Sequence, residues 1–321
     1  MKVLVTGGAG FIGSHLVDRL LADGHEVRVL DNLSTGKREN LALAAADPRL
    51  AFHHGSVLDD GEVAALMDGV ETVYHLAAAV GVHHVVQNPI WTVVTNARGT
   101  EVVLHHAALR DARVVFASSS EVYGVSDALP FREDGPRVLG PTWVHRWSYA
   151  TSKALDEHLC FGYADRGLSV SVVRYFNIFG PRMDPAGYGS VIARFLTQAL
   201  GGTPLTVHGD GLQTRCFTYV ADAVDATVRA ATLPSALGQA INVGGGHETS
   251  IADLARAVLA VTGSSSPVTL VPYGDAFGAN FGDTRRRVPD VRKARDLLGW
   301  EAAVSLEDGL RHTIAAQGGR T

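Results

Sequence analysis

Residues 1–13 read Met1-Lys2-Val3-Leu4-Val5-Thr6-Gly7-Gly8-Ala9-Gly10-Phe11-Ile12-Gly13. Val3-Leu4-Val5 is a short apolar run that stops at glycines, the pattern of a buried parallel strand. From Phe11 to Ala22 the apolar residues recur at helical spacing, and Asp23-Gly24 ends the helix. Gly7 permits the tight turn between the two, Gly10 lets backbone approach a pyrophosphate, and Gly13 lets helix pack on strand. The helix start then offers free N–H groups and the positive end of its dipole to phosphates. A second strand, 26–30, ends at Asp31, an acid about 20 residues beyond the turn, as dinucleotide binding requires. Asp31 would accept hydrogen bonds from ribose hydroxyls and repel a 2′-phosphate, which favours NAD over NADP. Asn32, Ser34, Thr35 and Gly36 follow as a polar loop suited to the same ribose; each alone also suits an ordinary turn.

Working outward, further strands are expected at 50–53, 71–76, 113–117 and 169–176, with helix-like stretches between most of them. Strand and helix in alternation mean an α/β fold: a Rossmann-type, doubly wound parallel sheet covered on both faces. Beyond Gly180 the rhythm breaks into segments rich in Gly and Pro, 180–189 and 201–211. The expected organisation is an NAD-binding domain of residues 1–175 and 217–244, with a smaller, discontinuous C-terminal substrate lobe of 176–216 and 245–321. Residues 288–314 read as two short helical pieces around Gly299-Trp300.

Composition bounds the partners. The 321 residues are 46% hydrophobic and 19% charged, too apolar for disorder. Net charge is 28 − 33 = −5, which argues against a broad electrostatic footprint for nucleic acid. Two cysteines, Cys160 and Cys216, make no disulfide scaffold and fit a reducing compartment. With a strand at the first residues and no run of membrane-spanning length, the expectation is a cytoplasmic protein that meets no membrane. The histidine pairs 53–54, 83–84 and 105–106 are adjacent in sequence, so their side chains diverge and no metal site is expected.

Trp147-Ser148-Tyr149-Ala150-Thr151-Ser152-Lys153 stands where a long helix should begin, and Tyr149 and Lys153 share a helical face. A tyrosine hydroxyl near pKa 10 is a poor base at neutral pH. A nearby ammonium and a positive nicotinamide ring would favour the phenolate. Ser118-Ser119-Ser120-Glu121 closes an expected strand, where open parallel sheets place their chemistry.

With these residues in view, the chain resembles the extended short-chain dehydrogenase/reductase family: the nucleotide-sugar epimerases, dehydratases and decarboxylases. The likeness runs essentially end to end. Gly7, Gly10 and Gly13 match its cofactor turn, which implies that Phe11 and Ile12 also meet the cofactor. His75-Leu76-Ala77-Ala78-Ala79 resembles the strand end beside that cofactor, and Asn96 with Gly99-Thr100 its next helix. Gly55-Ser56-Val57-Leu58-Asp59 resembles the adenine-contacting segment, Ser56 replacing the usual Asp and Val57 keeping a cofactor role. Tyr149 and Lys153 match the catalytic pair, which both proton and cofactor chemistry use, with Ser119 or Ser120 assisting the substrate hydroxyl. Residues 174–182, which include Asn177 and Arg182, resemble the crossing into the substrate lobe.

Within the family, the motifs most resemble those of the UDP-glucuronate decarboxylases. These are Ser119-Ser120-Glu121-Val122-Tyr123-Gly124, the segment 204–209 with Thr206 and His208, Gln213-Thr214-Arg215, and Arg287-Val288-Pro289-Asp290. His208 stands where those enzymes usually have Tyr beside the uracil, and the loop 79–84 lacks their proline-rich form. The resemblance implies an NAD cofactor, a UDP-sugar substrate and a homodimer. It implies that Tyr149, held by Lys153, takes the 4-hydroxyl proton while C4 is oxidised. Glu121 and Arg287 would serve the carboxylate or the chemistry at C5, and Arg215 and Arg182 the diphosphate. A nucleotide-sugar 4-epimerase is the alternative enzyme, and a non-catalytic NAD-binding regulator the alternative from another class.

Overall fold

The computed structural model describes residues 1–184, 191–277, 284–316 and 318, without the side chains of 82–84. The expected loop 180–189 therefore lies outside the described residues from 185 onward.

Seven parallel strands form the central sheet: β1 (Lys2–Thr6), β2 (Glu26–Asp31), β3 (Leu50–His54), β4 (Thr72–His75), β5 (Arg113–Ser119), β6 (Val170–Tyr175) and β7 (Ala240–Val243). Their order is β7-β6-β5-β4-β1-β2-β3. The winding reverses between β1 and β4, and in such sheets the crevice at the carboxyl ends of those strands takes the ligand. β1 is paired on both edges, Val5 opposite Val29 of β2 and Tyr74 of β4, so its run of valine and leucine is buried throughout. β5 runs two residues beyond the expected 113–117, because Ser118 and Ser119 still pair with Arg174 and Tyr175 of β6. That extension carries the serines to the crevice.

Helix α1 (Phe11–Ala22) covers one face of the sheet with Val220–Thr232. Helices α2 (Pro89–Leu109) and α3 (Ser148–Ala164) flank it elsewhere, with Val102, Val103, Leu104 and Cys160 in the core beneath. The smaller lobe has its own core, in which Phe179, Ile192, Phe195, Leu205, Leu254 and Leu310 pack together. Its Thr214–Cys216 strand lies antiparallel to Glu248–Ser250 and parallel to Arg286–Arg287.

One boundary differs from the sequence reading, which gave all of 245–321 to the lobe. Ala294, Leu298 and Trp300 instead join the core over the large sheet, and Trp300 Nε1 donates to the Asp222 carbonyl at 3.0 Å. A seven-residue helix, Arg292–Leu298, carries an apolar stripe but no mark of which core that stripe will join. Among the described residues, no helix is long and apolar enough to cross a membrane.

Candidate active site

The glycine turn closes against the end of β4. Gly7 has φ of 72°, and a Cβ added there would stand 2.7 Å from the Ala77 amide nitrogen. A Cβ on Gly13 would overlap the Gly7 carbonyl oxygen. Gly10 opens α1 with no side chain to cap it, so the first-turn amides are left for a ligand. Phe11, Ile12 and Gly13 line a cleft shared with Asp31, Asn32, Ser34, Thr35, Val57, Ala77, Ala78, Tyr149 and Lys153. Trp91 and Thr95 of α2, which no sequence motif marked, line it too. The cleft thus runs from an acid at the end of β2, past an uncapped helix start, to the Tyr-Lys pair. That sequence of groups fits an extended dinucleotide.

Asp31 is buried, and its carboxylate accepts from the amides of Ala9 at 2.9 Å and Leu33 at 2.8 Å. Burial raises its pKa, and those two amides oppose the rise. Gly36 abuts Ala9 and the Asp31 carboxylate, so it shapes the turn. Asn96, expected at the cofactor, is spent on protein: Oδ1 accepts from the Ala79 amide at 2.7 Å, and Nδ2 donates to Ser152 Oγ at 2.9 Å. It ties the loop after β4 to α3.

Tyr149 lies in the first turn of α3 and Lys153 one turn on. Lys153 is buried, its Nζ donating to the Ala117 carbonyl at 2.9 Å and standing over the Phe116 ring. Burial holds the Tyr149 hydroxyl above its ordinary pKa, and the Glu121 charge pushes it further; a hydrogen bond with Ser119 opposes both. Burial also lowers Lys153. The expected relief of the tyrosine needs the nicotinamide charge as well as the lysine; the protein's own groups leave the buried phenol neutral. Of the two candidate serines, Ser119 meets Tyr149, while Ser120 is buried at the start of the turn Ser120–Tyr123.

Glu121 sits between two arginines. Arg146 grips it with both arms, Nη1 to Oε2 at 2.6 Å and Nη2 to Oε1 at 3.1 Å, while Arg287 Nη1 reaches Oε1 at 2.7 Å. Burial alone would raise the Glu121 pKa, but Arg287 and Arg146 hold the carboxyl well below the usual carboxylate range. An ionised, doubly held carboxylate accepts and positions; it has no proton to deliver at C5. Arg146 is a further site residue that the sequence reading missed. The only trace was an arginine three positions before Tyr149, with no period or motif linking it to a glutamate 25 residues earlier.

The lobe residues are partly engaged by protein. Asn177, at φ of 42°, donates from Nδ2 to the Cys216 carbonyl at 3.0 Å and lines a second pocket with Arg182. Arg182, expected at the diphosphate, pairs with Asp18 of α1 at 2.6 Å. Thr206 exchanges hydrogen bonds with Gln198. Burial, aided by Arg194, lowers the His208 pKa to about 4, so this ring is neutral at pH 7. Arg215 Nη1 donates to the carbonyls of Thr214 and Thr284, at 2.8 and 2.9 Å. Arg215 lies in register with Arg287, so two motifs distant in sequence form one strand pair beside Glu121.

Such a fold, with a cleft that fits an extended dinucleotide, defines a dinucleotide-dependent enzyme. The model of the NAD dependent epimerase/dehydratase family matches residues 3–244. The chain belongs to that family, and its cofactor is NAD. It is 43% identical to a UDP-N-acetyl-alpha-D-glucosaminuronate decarboxylase of Bacillus cytotoxicus, over 98% of this chain and 96% of that one. It is 39% identical to UDP-glucuronic acid decarboxylase 1 of Xenopus tropicalis, over 98% of this chain and 71% of the other. A solved UDP-glucose 4-epimerase of Thermotoga maritima with UDP-glucose superposes with a TM-score of 0.90 at 33% identity, covering 99% of each chain.

Proposed function

We propose that the protein is an NAD-dependent decarboxylase of UDP-glucuronate, acting through a UDP-4-keto sugar to give UDP-xylose, UDP-4-keto-xylose or both. The observation that carries this reading is the Arg146–Glu121–Arg287 cluster beside Tyr149, a cationic setting for a sugar carboxylate. The names of the Bacillus and Xenopus relatives support it. The first of those names specifies a 2-acetamido substrate, so that analogue belongs in the assay.

When bound, NAD supplies reversible oxidation at C4 of the sugar. Tyr149 takes the proton of the 4-hydroxyl, which Ser119 orients through the hydrogen bond it already shares with the tyrosine. Lys153 adds positive charge beneath the site. Arg287 binds the substrate carboxylate, and Glu121 holds Arg287 in place. The 4-ketone is β to that carboxylate, so carbon dioxide leaves into an enolate, which then takes a proton from water at C5. Asn177, Thr206, His208 and Arg215 form the nucleotide side of the site, between a cofactor domain and a substrate lobe. Arg182, held by Asp18, braces the two lobes there.

The reading includes a homodimer in the cytoplasm, with no nucleic acid or membrane as partner. Ile90, Val94 and Leu109 of α2 and Leu155 of α3 are exposed, an apolar face for a second copy. A monomer by light scattering at micromolar concentration contradicts that part alone.

The test is incubation with NAD and either UDP-glucuronate or its 2-acetamido analogue, followed by mass spectrometry. Loss of carbon dioxide from the sugar is expected. Conversion of UDP-glucuronate to UDP-galacturonate without carbon dioxide overturns the reading in favour of a 4-epimerase.

A further inference from the structure

Glu121 is the only charged residue of the turn Ser120–Tyr123, and with Tyr149 bonded to Ser119 two positions away it stands at the reacting end of the site. Its charge repels any acidic sugar. Arg287 alone would cancel that charge and leave a neutral pair. Arg146 adds a second cation, so two arginines and one carboxylate leave the cluster one positive charge in excess. We infer that Arg146 is a specificity-determining residue: it turns a neutral Glu121–Arg287 pair into a net cationic subsite that selects an acidic sugar. This inference rests on the proposed function and names what makes that site prefer a carboxylate.

The geometry supports a built subsite. All three side chains are largely buried, where charge is weakly screened. Arg146 meets Glu121 in a two-armed fork, which fixes the guanidinium plane as a lysine could not, and its guanidinium lies 5.3 Å from the Trp147 ring centre. It belongs to the turn His145–Trp147 that leads directly into α3, so the segment that positions Tyr149 also positions the second cation. Arg287 Nε is buried and has no hydrogen-bond partner among the described residues, a donor still open to an acceptor. Glu121 takes two guanidinium groups, so the three side chains together carry one positive charge.

The experiment measures dissociation constants for UDP-glucuronate and UDP-glucose by calorimetry on the NADH-loaded protein, where the sugar is not oxidised. The wild type is expected to favour the acid, and Arg146→Met to lower that preference by about 10- to 100-fold, the scale of a charge-assisted contact. Arg146→Lys should keep part of it. The double variant Arg146→Met, Glu121→Gln leaves Arg287 as the sole charge of the cluster, so it should regain the preference. That regain also distinguishes charge from misfolding, because the double variant is the more heavily altered protein. A preference unchanged in Arg146→Met, or not regained in the double variant, overturns this inference and leaves the proposed function standing. A wild type that does not prefer the acid overturns both.

Discussion

Asp31 and Ala9 are joined across the glycine turn, the Ala9 amide donating to Asp31 Oδ2 at 2.9 Å while the Leu33 amide takes Oδ1 at 2.8 Å. The acid at the end of β2 is therefore part of the turn's own scaffold as well as a partner for ribose.

Asp31→Ala should lose in two ways at once. A buried amide (Ala9) and a half-buried one (Leu33) lose their acceptor, a cost of about 1–3 kcal/mol at the first and less at the second. NAD affinity should fall, and the preference over NADP should shrink with the loss of the repelling charge. Urea denaturation beside titrations with both nucleotides reads the two effects. Unaltered stability with altered affinity would confine Asp31 to the ribose.

Gly13 and Gly162 should respond in opposite directions to the same methyl group. At Gly13 the new Cβ meets backbone, the Gly7 carbonyl oxygen and the Gly8 Cα, which cannot swing aside. Gly13→Ala should distort the turn and abolish NAD binding. At Gly162, within α3, nothing lies within 4 Å, so Gly162→Ala should stabilise by about 0.5–1 kcal/mol through helix propensity. Thermal melts and NAD titrations of the pair check both signs.

That contrast also marks what was legible in the sequence. A turn with Gly7, Gly10 and Gly13 is local, so its residues announce themselves in order, and the Tyr149–Lys153 spacing follows from one helix. The parallel sheet follows from apolar runs such as Val3–Val5 alternating with helices. The Arg146–Glu121–Arg287 cluster joins two 3₁₀ turns and a two-residue strand, with Glu121 and Arg287 166 positions apart. Tertiary packing alone brings them together, and no spacing records it. The hydrogen bonds of Asn96 were illegible for the same reason: its partners Ala79 and Ser152 are distant in sequence.

His75 should make the fold sensitive to acid. It is fully buried, bridging Thr6 Oγ1 at 2.7 Å and Thr100 Oγ1 at 3.1 Å, and burial lowers its pKa to about 3, with Lys153 adding to the effect. An unfolded histidine titrates near 6.5. Between those values the unfolded chain binds the extra proton, so this contribution is complete above pH 6.5 and is lost as pH falls toward 3. Asp156, raised to about 6 by burial, acts in the opposite sense, so the comparison must isolate the histidine. Chemical denaturation of the wild type and His75→Gln at pH 5 and 7 does so. The variant should lose less stability between the two than the wild type, and equal losses would show that His75 is protonated without cost.

Tyr149 and Glu121 should separate in a pH profile. Tyr149→Phe removes the proton acceptor and should cost about 10²–10⁴ in rate at every pH. Glu121→Gln acts on the tyrosine at a distance. Burial and the Glu121 charge both hold the Tyr149 hydroxyl up, so the wild-type rate should climb with pH as the phenolate forms. Replacing the carboxylate by an amide removes the repelling charge and leaves Arg146 and Arg287 uncompensated. Both changes favour the phenolate, so the rising limb should move to lower pH. The amide also holds Arg287 less firmly, so carbon dioxide release should slow more than oxidation at C4. Single-turnover NADH absorbance, followed across pH beside labelled carbon dioxide, reads both effects. A limb displaced to higher pH would mean that Glu121 does not act on Tyr149 through its charge. Equal slowing of the two steps would make Glu121 a holder of the site's overall shape.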